Sequence, residues 1–171
     1  MRRPLLQTGR LLLRPLQASD EAALVAGLND WEVVRWLAVV PFPYGPADFR
    51  AFLPKAEPGD TWAIEDGDGF IGMIGNGGEL GYWLARRAWG RGYASEAARA
   101  VVADHFADPE APEIHSAYYE GNQRSANVLT KLGFRTTGYE LKRTVARPDE
   151  ETLSCRMILT RAAWEAKGPL P

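Results

Sequence analysis

The stretch LGYWLARRAWGRGYASEAARAVVADHF, Leu80 to Phe106, decides the fold. It begins as a strand, breaks at Trp89-Gly90-Arg91-Gly92-Tyr93-Ala94, and passes straight into a long helix. In that helix Ala94, Ala97, Ala98, Val101, Val102 and Phe106 recur at helical spacing and give an apolar face for packing on a sheet. A glycine-rich turn at a helix N-terminus presents backbone N–H groups at the positive end of the helix dipole, a common setting for a bound anion.

Two readings of that turn fail on spacing. A Walker loop requires a lysine and a hydroxyl after its second glycine, and neither is present. A dinucleotide fingerprint needs a third glycine where Ser95 stands, within a parallel βαβ unit; the residues before Leu80 read instead as an antiparallel meander. What is left is a turn whose amides, from Arg91 through Ser95, face a pyrophosphate while Arg91 adds charge. A sharp strand-to-helix corner without a ligand would use the same glycines, so the turn by itself leaves both readings open.

Working outward, TWAIED from Thr61, a Gly-Asp-Gly turn and FIGMIGN predict a hairpin, with Glu79 to Ala85 as the third strand of the meander. Upstream, Leu11 to Leu13 read as a short strand closed by Arg14-Pro15. Ser19 or Asp20 caps a helix over Glu21 to Leu28, a second helical stretch runs around Trp31 to Val39, and another covers Asp48 to Lys55. Downstream, Ile114 to Tyr119 is a strand, Asn122 caps a helix through Leu132, and Gly133 stops it. Phe134 to Tyr139 and Ser154 to Leu159 read as closing strands around a polar loop at Pro148 to Glu151.

With 171 residues, 46% hydrophobic and 25% charged, the chain suits one domain over residues 1–171. A net charge of −2 gives no general electrostatic reason to bind nucleic acid or an anionic membrane. Cys155 is the only cysteine, so no disulfide within the chain and no thiolate metal cluster is expected, and no metal is assigned. The N-terminal MRRPLLQTGRLLLRPL is too interrupted for a signal peptide, and no run approaches the roughly 18 apolar residues of a membrane span. A cytoplasmic protein is expected.

The order of strand, GRGYASEA helix, strand and then NQRSANVLTKLGF with a following Gly138 resembles the GNAT acyl-CoA N-acyltransferase superfamily. It is most similar to the Rim-type ribosomal-protein N-terminal acetyltransferases, in Glu79-Leu80-Gly81-Tyr82 before the turn, in RLLLRPL near the start and in MILTRAAWEA near the end. The resemblance implies a mixed α/β fold, a central, mostly antiparallel twisted sheet flanked by helices. It implies transfer of an acetyl group from acetyl-CoA to a primary amine by direct attack on the thioester. By the same resemblance, backbone groups of Leu84 and Ala85 hold the pantetheine arm and the amides of Arg91, Gly92, Tyr93, Ala94 and Ser95 take the pyrophosphate. Asn122 binds the pantetheine amides, and Asn127 and Lys131 reach the phosphate end. Ser125 supplies a proton or hydrogen bond to the leaving thiolate, and a backbone N–H near Leu84 serves the carbonyl oxygen.

Two positions depart from the family pattern. Trp89 stands where the wider superfamily carries a basic or amide residue, which fits the Rim-type branch. Thr144 falls near where some Rim-type enzymes carry a carboxylate, which leaves the general base unassigned. Glu79 is the candidate base or water-holder; His115 has a suitable reference pKa but equally suits a structural role. Neutralising a lysine amine at pH 7 costs about 4.6 kcal/mol, against about 1 kcal/mol for an α-amine, so a site without a strong base favours a protein N-terminus as acceptor. A small-molecule amine (aminoglycoside, polyamine or amino acid) and a non-catalytic CoA-binding module are the alternatives, and a homodimer stays open. Trp31, Trp36, Phe42 and Tyr44 lie in the segment that, by resemblance, walls the acceptor cleft.

Overall fold

The computed structural model describes residues 3–168. Its strands are β1 (Leu6–Gln7), β2 (Leu12–Arg14), β3 (Thr61–Asp66), β4 (Gly69–Gly75), β5 (Glu79–Leu84), β6 (Ile114–Tyr119), β7 (Arg135–Thr144) and β8 (Arg147–Leu159). They form one sheet in the order β1-β2-β3-β4-β5-β6-β8-β7, antiparallel at every step but one, β5 to β6. The helices are α1 (Glu21–Leu28), α2 (Trp31–Val34), α3 (Pro46–Phe52), α4 (Tyr93–Phe106), α5 (Gln123–Leu132) and α6 (Arg161–Lys167). None among the described residues is long and apolar enough to cross a membrane.

The helices divide between two faces of the sheet. Ala97, Ala98, Val101, Val102 and Phe106 of α4 and Leu129 and Leu132 of α5 pack with Leu80 and Ile114 in the larger core cluster. Each fully buried Val or Phe there contributes about 1.5–3 kcal/mol, more than helix propensity supplies, so this face sets the position of α4. On the other face Leu24 and Leu28 of α1, Val33 of α2 and Phe49 of α3 pack with Ala63 and Met73.

The parallel step is short. β5 and β6 pair only through Glu79↔His115 and Leu80↔Ser116. Beyond Leu80, β5 keeps to β4 as far as Leu84↔Gly72 while β6 keeps to β8 as far as Tyr119↔Ser154, so the sheet opens between them. Gly72 makes part of this possible: a Cβ there would lie 2.1 Å from the Trp83 carbonyl oxygen, so only glycine lets β4 approach the end of β5 so closely.

Asp20 precedes α1, as expected, but its carboxylate makes no cap bond to the helix. It takes the Arg14 guanidinium at 2.8 and 2.9 Å and the Gln17 N–H at 2.9 Å, tying β2 to the start of α1. Burial pushes the Asp20 carboxyl up, and Arg14 and Gln17 together outweigh it and hold it below the usual carboxylate range.

Two expectations need correction. The stretch around Trp31 to Val39 is helical only through Val34. Beyond it the chain turns through Trp36 and Leu37, whose N–H groups donate to Val33 O and Val34 O, and Ala38 is drawn out to accept the Val145 N–H at 3.0 Å. The polar loop at Pro148 to Glu151 is instead part of β8, in a long hairpin with β7 whose register shifts between Lys142 and Thr144. Ion pairs between exposed side chains (Arg143 with Glu151, Arg156 with Glu140) take the place of the apolar alternation that would have marked those strands.

Candidate active site

The opening between β5 and β6 is a cavity of about 500 Å³. Its walls come from the end of β5, the glycine turn and first turn of α4, the end of β6, the start of α5, and the segment after α2. Hydrogen-bond parity decides which backbone groups face it. The Ala85 N–H donates to Ile71 O at 2.7 Å, in phase with Trp83↔Met73 and Gly81↔Gly75. Antiparallel ladders alternate, so Gly81 and Trp83 address β4 and Leu80, Tyr82 and Leu84 address the gap. Two bonds on the gap side agree: Ser116 Oγ donates to Leu80 O at 2.7 Å, and Trp89 Nε1 donates to Leu84 O at 2.8 Å. The N–H and C=O of Tyr82 and the N–H of Leu84 are thus presented to an extended ligand with amides of its own.

Leu84 thus lines the cavity and Ala85 does not. Ala85 has its N–H on Ile71 and its carbonyl on the Ala88 N–H at 2.9 Å, and it does not line the cavity. Its parity on the strand turns its backbone N–H toward β4.

At the turn, Gly92 has φ +77 and ψ 8, a left-handed conformation that glycine adopts freely. The first bond within α4 is Glu96 N–H to Gly92 O at 3.0 Å, which leaves the N–H groups of Tyr93, Ala94 and Ser95 free of intrahelical partners. Gly92, Tyr93, Ala94 and Ser95 all line the cavity. Arg91 does not; its side chain is exposed and its carbonyl accepts from Arg10 Nη1 at 2.9 Å. Arg10 also binds Glu96 Oε2 at 2.8 Å and stacks 4.7 Å over the Tyr93 ring, so it braces the turn from the β1–β2 connection.

Across the gap, Asn122 caps α5 by accepting the Ser125 N–H at 3.3 Å, and both residues line the cavity. The Ser125 hydroxyl is not used in that cap; it lies 3.0 Å from Tyr82 Oη. Burial pushes the Tyr82 phenol up to about 12, and the Ser125 hydrogen bond only partly offsets it. Asn127 and Lys131, one turn apart, line the cavity further along α5, with Asn127 Oδ1 accepting from Gln123 Nε2 at 2.8 Å. Trp89 spans the site, holding Leu84 O while the Arg124 guanidinium stacks 3.9 Å over its ring.

Glu79 lines the mouth on the α1–α3 side and is the one carboxylate among the described lining residues, against Arg124, Lys131 and Lys142. His115 lies outside this cavity, lining an adjacent polar pit, 3.8 Å from Glu113. Thr144 is buried in the β7–β8 turn, where its Oγ1 accepts the Arg147 N–H at 3.1 Å. Of the four aromatic residues expected on the acceptor wall, Trp36 is there. Trp31 and Phe42 stack edge to face outside the cavity, and Tyr44 is core, its backbone bracketed by the Asn29 amide. No group of three or more His, Cys, Asp or Glu among the described residues could hold a metal ion.

A sheet split beside a glycine-capped helix start matches what comparison finds. Residues 10–135 match the family model of the acetyltransferase (GNAT) domain. The chain belongs to that GNAT family. It is 31% identical over 144 residues to the uncharacterized protein YkkB of Bacillus subtilis (strain 168), covering 75% of this chain and 83% of that one. It is 29% identical over 150 residues to the uncharacterized N-acetyltransferase YoaA of the same organism, covering 79% and 85%. Two solved structures share the GNAT fold at low identity. Spermidine N-acetyltransferase from Vibrio cholerae, in complex with CoA and spermine, has TM-score 0.74 and 15% identity over 92% of this chain and 99% of that one. Ribosomal-protein-S5-alanine acetyltransferase from Vibrio fischeri has TM-score 0.71 and 17% identity over 89% and 94%. This GNAT protein is an acetyltransferase, which sets aside the inert binding module.

Sequence reasoning assigned no role to Tyr82, Arg10 or Arg124. Alternation along β5 puts Tyr82 on the same face as Leu80 and Leu84, a signal available in ELGYWL; nothing local marks the reach of Arg10 or Arg124.

Proposed function

We propose that this GNAT enzyme moves the acetyl group of acetyl-CoA to the α-amine of a protein N-terminus, in the manner of the Rim-type branch. The observation that carries the reading of the acceptor is the lining away from the cosubstrate residues, where one carboxylate, Glu79, stands with one cation, Lys142. A polyamine or aminoglycoside brings several positive charges and would find one anionic partner beside a lysine there, whereas a peptide terminus brings one amine. The Vibrio fischeri S5-alanine acetyltransferase likeness supports the same branch, and the Vibrio cholerae spermidine enzyme is the counterexample that the experiment must address.

The residues fit the cosubstrate. Tyr82 and Leu84 offer an open strand edge to the pantetheine amides, and Asn122 stands beside it. The N–H groups of Gly92 to Ser95 offer the helix start to the pyrophosphate, with Asn127 and Lys131 toward the phosphate end. Bound there, acetyl-CoA supplies an activated acyl group with a thiolate leaving group. The Leu84 N–H, on a rigid strand, is set to stabilise charge at the carbonyl oxygen. Glu79 holds the amine or a water that takes its proton, and Ser125 Oγ hydrogen-bonds the departing sulfur, helped by the start of α5. As the C–N bond forms, the C–S bond breaks with its electron pair going to sulfur, and the proton lost by the amine passes to solvent.

The test is a CoA-release assay with a short peptide bearing a free α-amine, the same peptide N-acetylated but carrying a lysine, and spermidine. The free peptide is expected to give kcat/KM at least tenfold above both others. Preference for spermidine would overturn the acceptor reading.

A further inference from the structure

We infer that Tyr82 is a positioning residue, which donates its hydroxyl hydrogen to Ser125 and so turns the Ser125 hydroxyl hydrogen into the cavity. The inference rests on Ser125 serving the leaving group, as above, and adds the group that orients it.

Three contacts fix the arrangement. Tyr82 Oη lies 3.0 Å from Ser125 Oγ and 3.4 Å from Ser125 O. The phenol carries one hydrogen, and sharing it between Ser125 Oγ at 3.0 Å and the Ser125 carbonyl at 3.4 Å meets both contacts while leaving the serine hydrogen unspent. The Ser125 backbone N–H is already committed to Asn122 Oδ1 at 3.3 Å, which locks the residue's place at the start of α5. With the phenol hydrogen on its Oγ, the serine hydroxyl has its own hydrogen directed elsewhere, and both Ser125 and Tyr82 face the cavity.

The phenol suits this task. Its ring packs against the larger core cluster on the short, stiff β5, so it loses little freedom when it bonds. Burial keeps it protonated far above neutral pH. Neither hydroxyl gives up its proton in the step: the bond pair goes to sulfur, the amine's proton goes to solvent, and the two hydroxyls act as a hydrogen-bonded chain that polarises toward the sulfur.

The experiment is a double-mutant cycle with Tyr82→Phe, Ser125→Ala and the pair, reading kcat, acceptor KM and acetyl-CoA Kd for each. Tyr82→Phe is expected to lower kcat about tenfold at unchanged Kd, Ser125→Ala to lower it further, and the pair to match Ser125→Ala alone. A merely structural tyrosine would move Kd and thermal midpoint together with kcat. Tyr82→Phe at full kcat with Ser125→Ala slow would overturn this inference alone, as would a double variant a further tenfold slower than Ser125→Ala. Ser125→Ala at full kcat would overturn the leaving-group reading and, with it, this one.

Discussion

The two sides of the sheet opening are made of different materials. On the α4–α5 side the site is mostly backbone: the exposed edge of Tyr82 and Leu84, the N–H groups of Gly92 to Ser95, and caps such as Asn122 on Ser125. On the α1–α3 side it is side chains carried by irregular chain: Trp36 and Leu37 after α2, Glu79 at a strand mouth, and Lys142 on the β7–β8 hairpin. The proposed reading gives the cosubstrate to the backbone-built side and the choice of acceptor to the side-chain-built side. On that reading, function is divided between the faces, with the chemistry common to both at the split.

Substitutions on one side should leave the other unmoved, and the largest effect belongs to the turn. Gly92→Val forces a β-branched residue into left-handed backbone beside the Arg10 guanidinium, 3.5 Å from the new Cβ. A cost of about 2 kcal/mol corresponds to about thirtyfold weaker acetyl-CoA binding by calorimetry, with acceptor KM extrapolated to saturating acetyl-CoA unchanged. Trp36→Ala, on the acceptor side, should do the reverse: acceptor KM rises about tenfold while acetyl-CoA Kd holds. A matched shift in both constants for either variant would break the division. Glu79→Gln keeps the shape of the mouth and removes its charge, and is expected to lower kcat/KM for the amine several-fold without affecting acetyl-CoA binding.

The smallest effect concerns stability at high pH. The Tyr82 phenol is raised by burial to about 12 in the folded chain, above the ordinary value near 10 in the unfolded one. The folded state then binds more protons than the unfolded state between those values, so stability is full below pH 10 and declines as pH rises toward 12. Tyr82→Phe should flatten that decline in denaturant titrations at pH 8 and pH 11. An equal decline in variant and wild type would show that Tyr82 contributes nothing to it.

The same division explains what the sequence made legible. In Leu80 to Phe106 the signals are local: strand alternation, two glycines with left-handed backbone, and an apolar helical face fall within one stretch, and the structure follows them closely. The α5 cap and its Gly133 stop, φ +102, are local too. The placement of Ala85 away from the cavity follows from its register with β4, which no neighbouring residue reveals. The β7–β8 hairpin escaped because the buried positions of its outer half, Thr144, Arg147 and Thr152, are polar and display no apolar period. The partners of Tyr82 and Arg10 lie 43 and 81 residues away, beyond any local pattern. Tyr44 suits a cleft by its place in the chain, but its side chain packs in the smaller core cluster while the Asn29 side chain, 15 residues away, holds its backbone.

The most direct test of the account is calorimetric titration of the purified protein with acetyl-CoA, with NADH and ATP as controls. Saturable binding of acetyl-CoA and of neither control is the predicted result. Binding of NADH or ATP without binding of acetyl-CoA would contradict the assignment of the glycine turn and the open edge of β5 to the acyl-CoA.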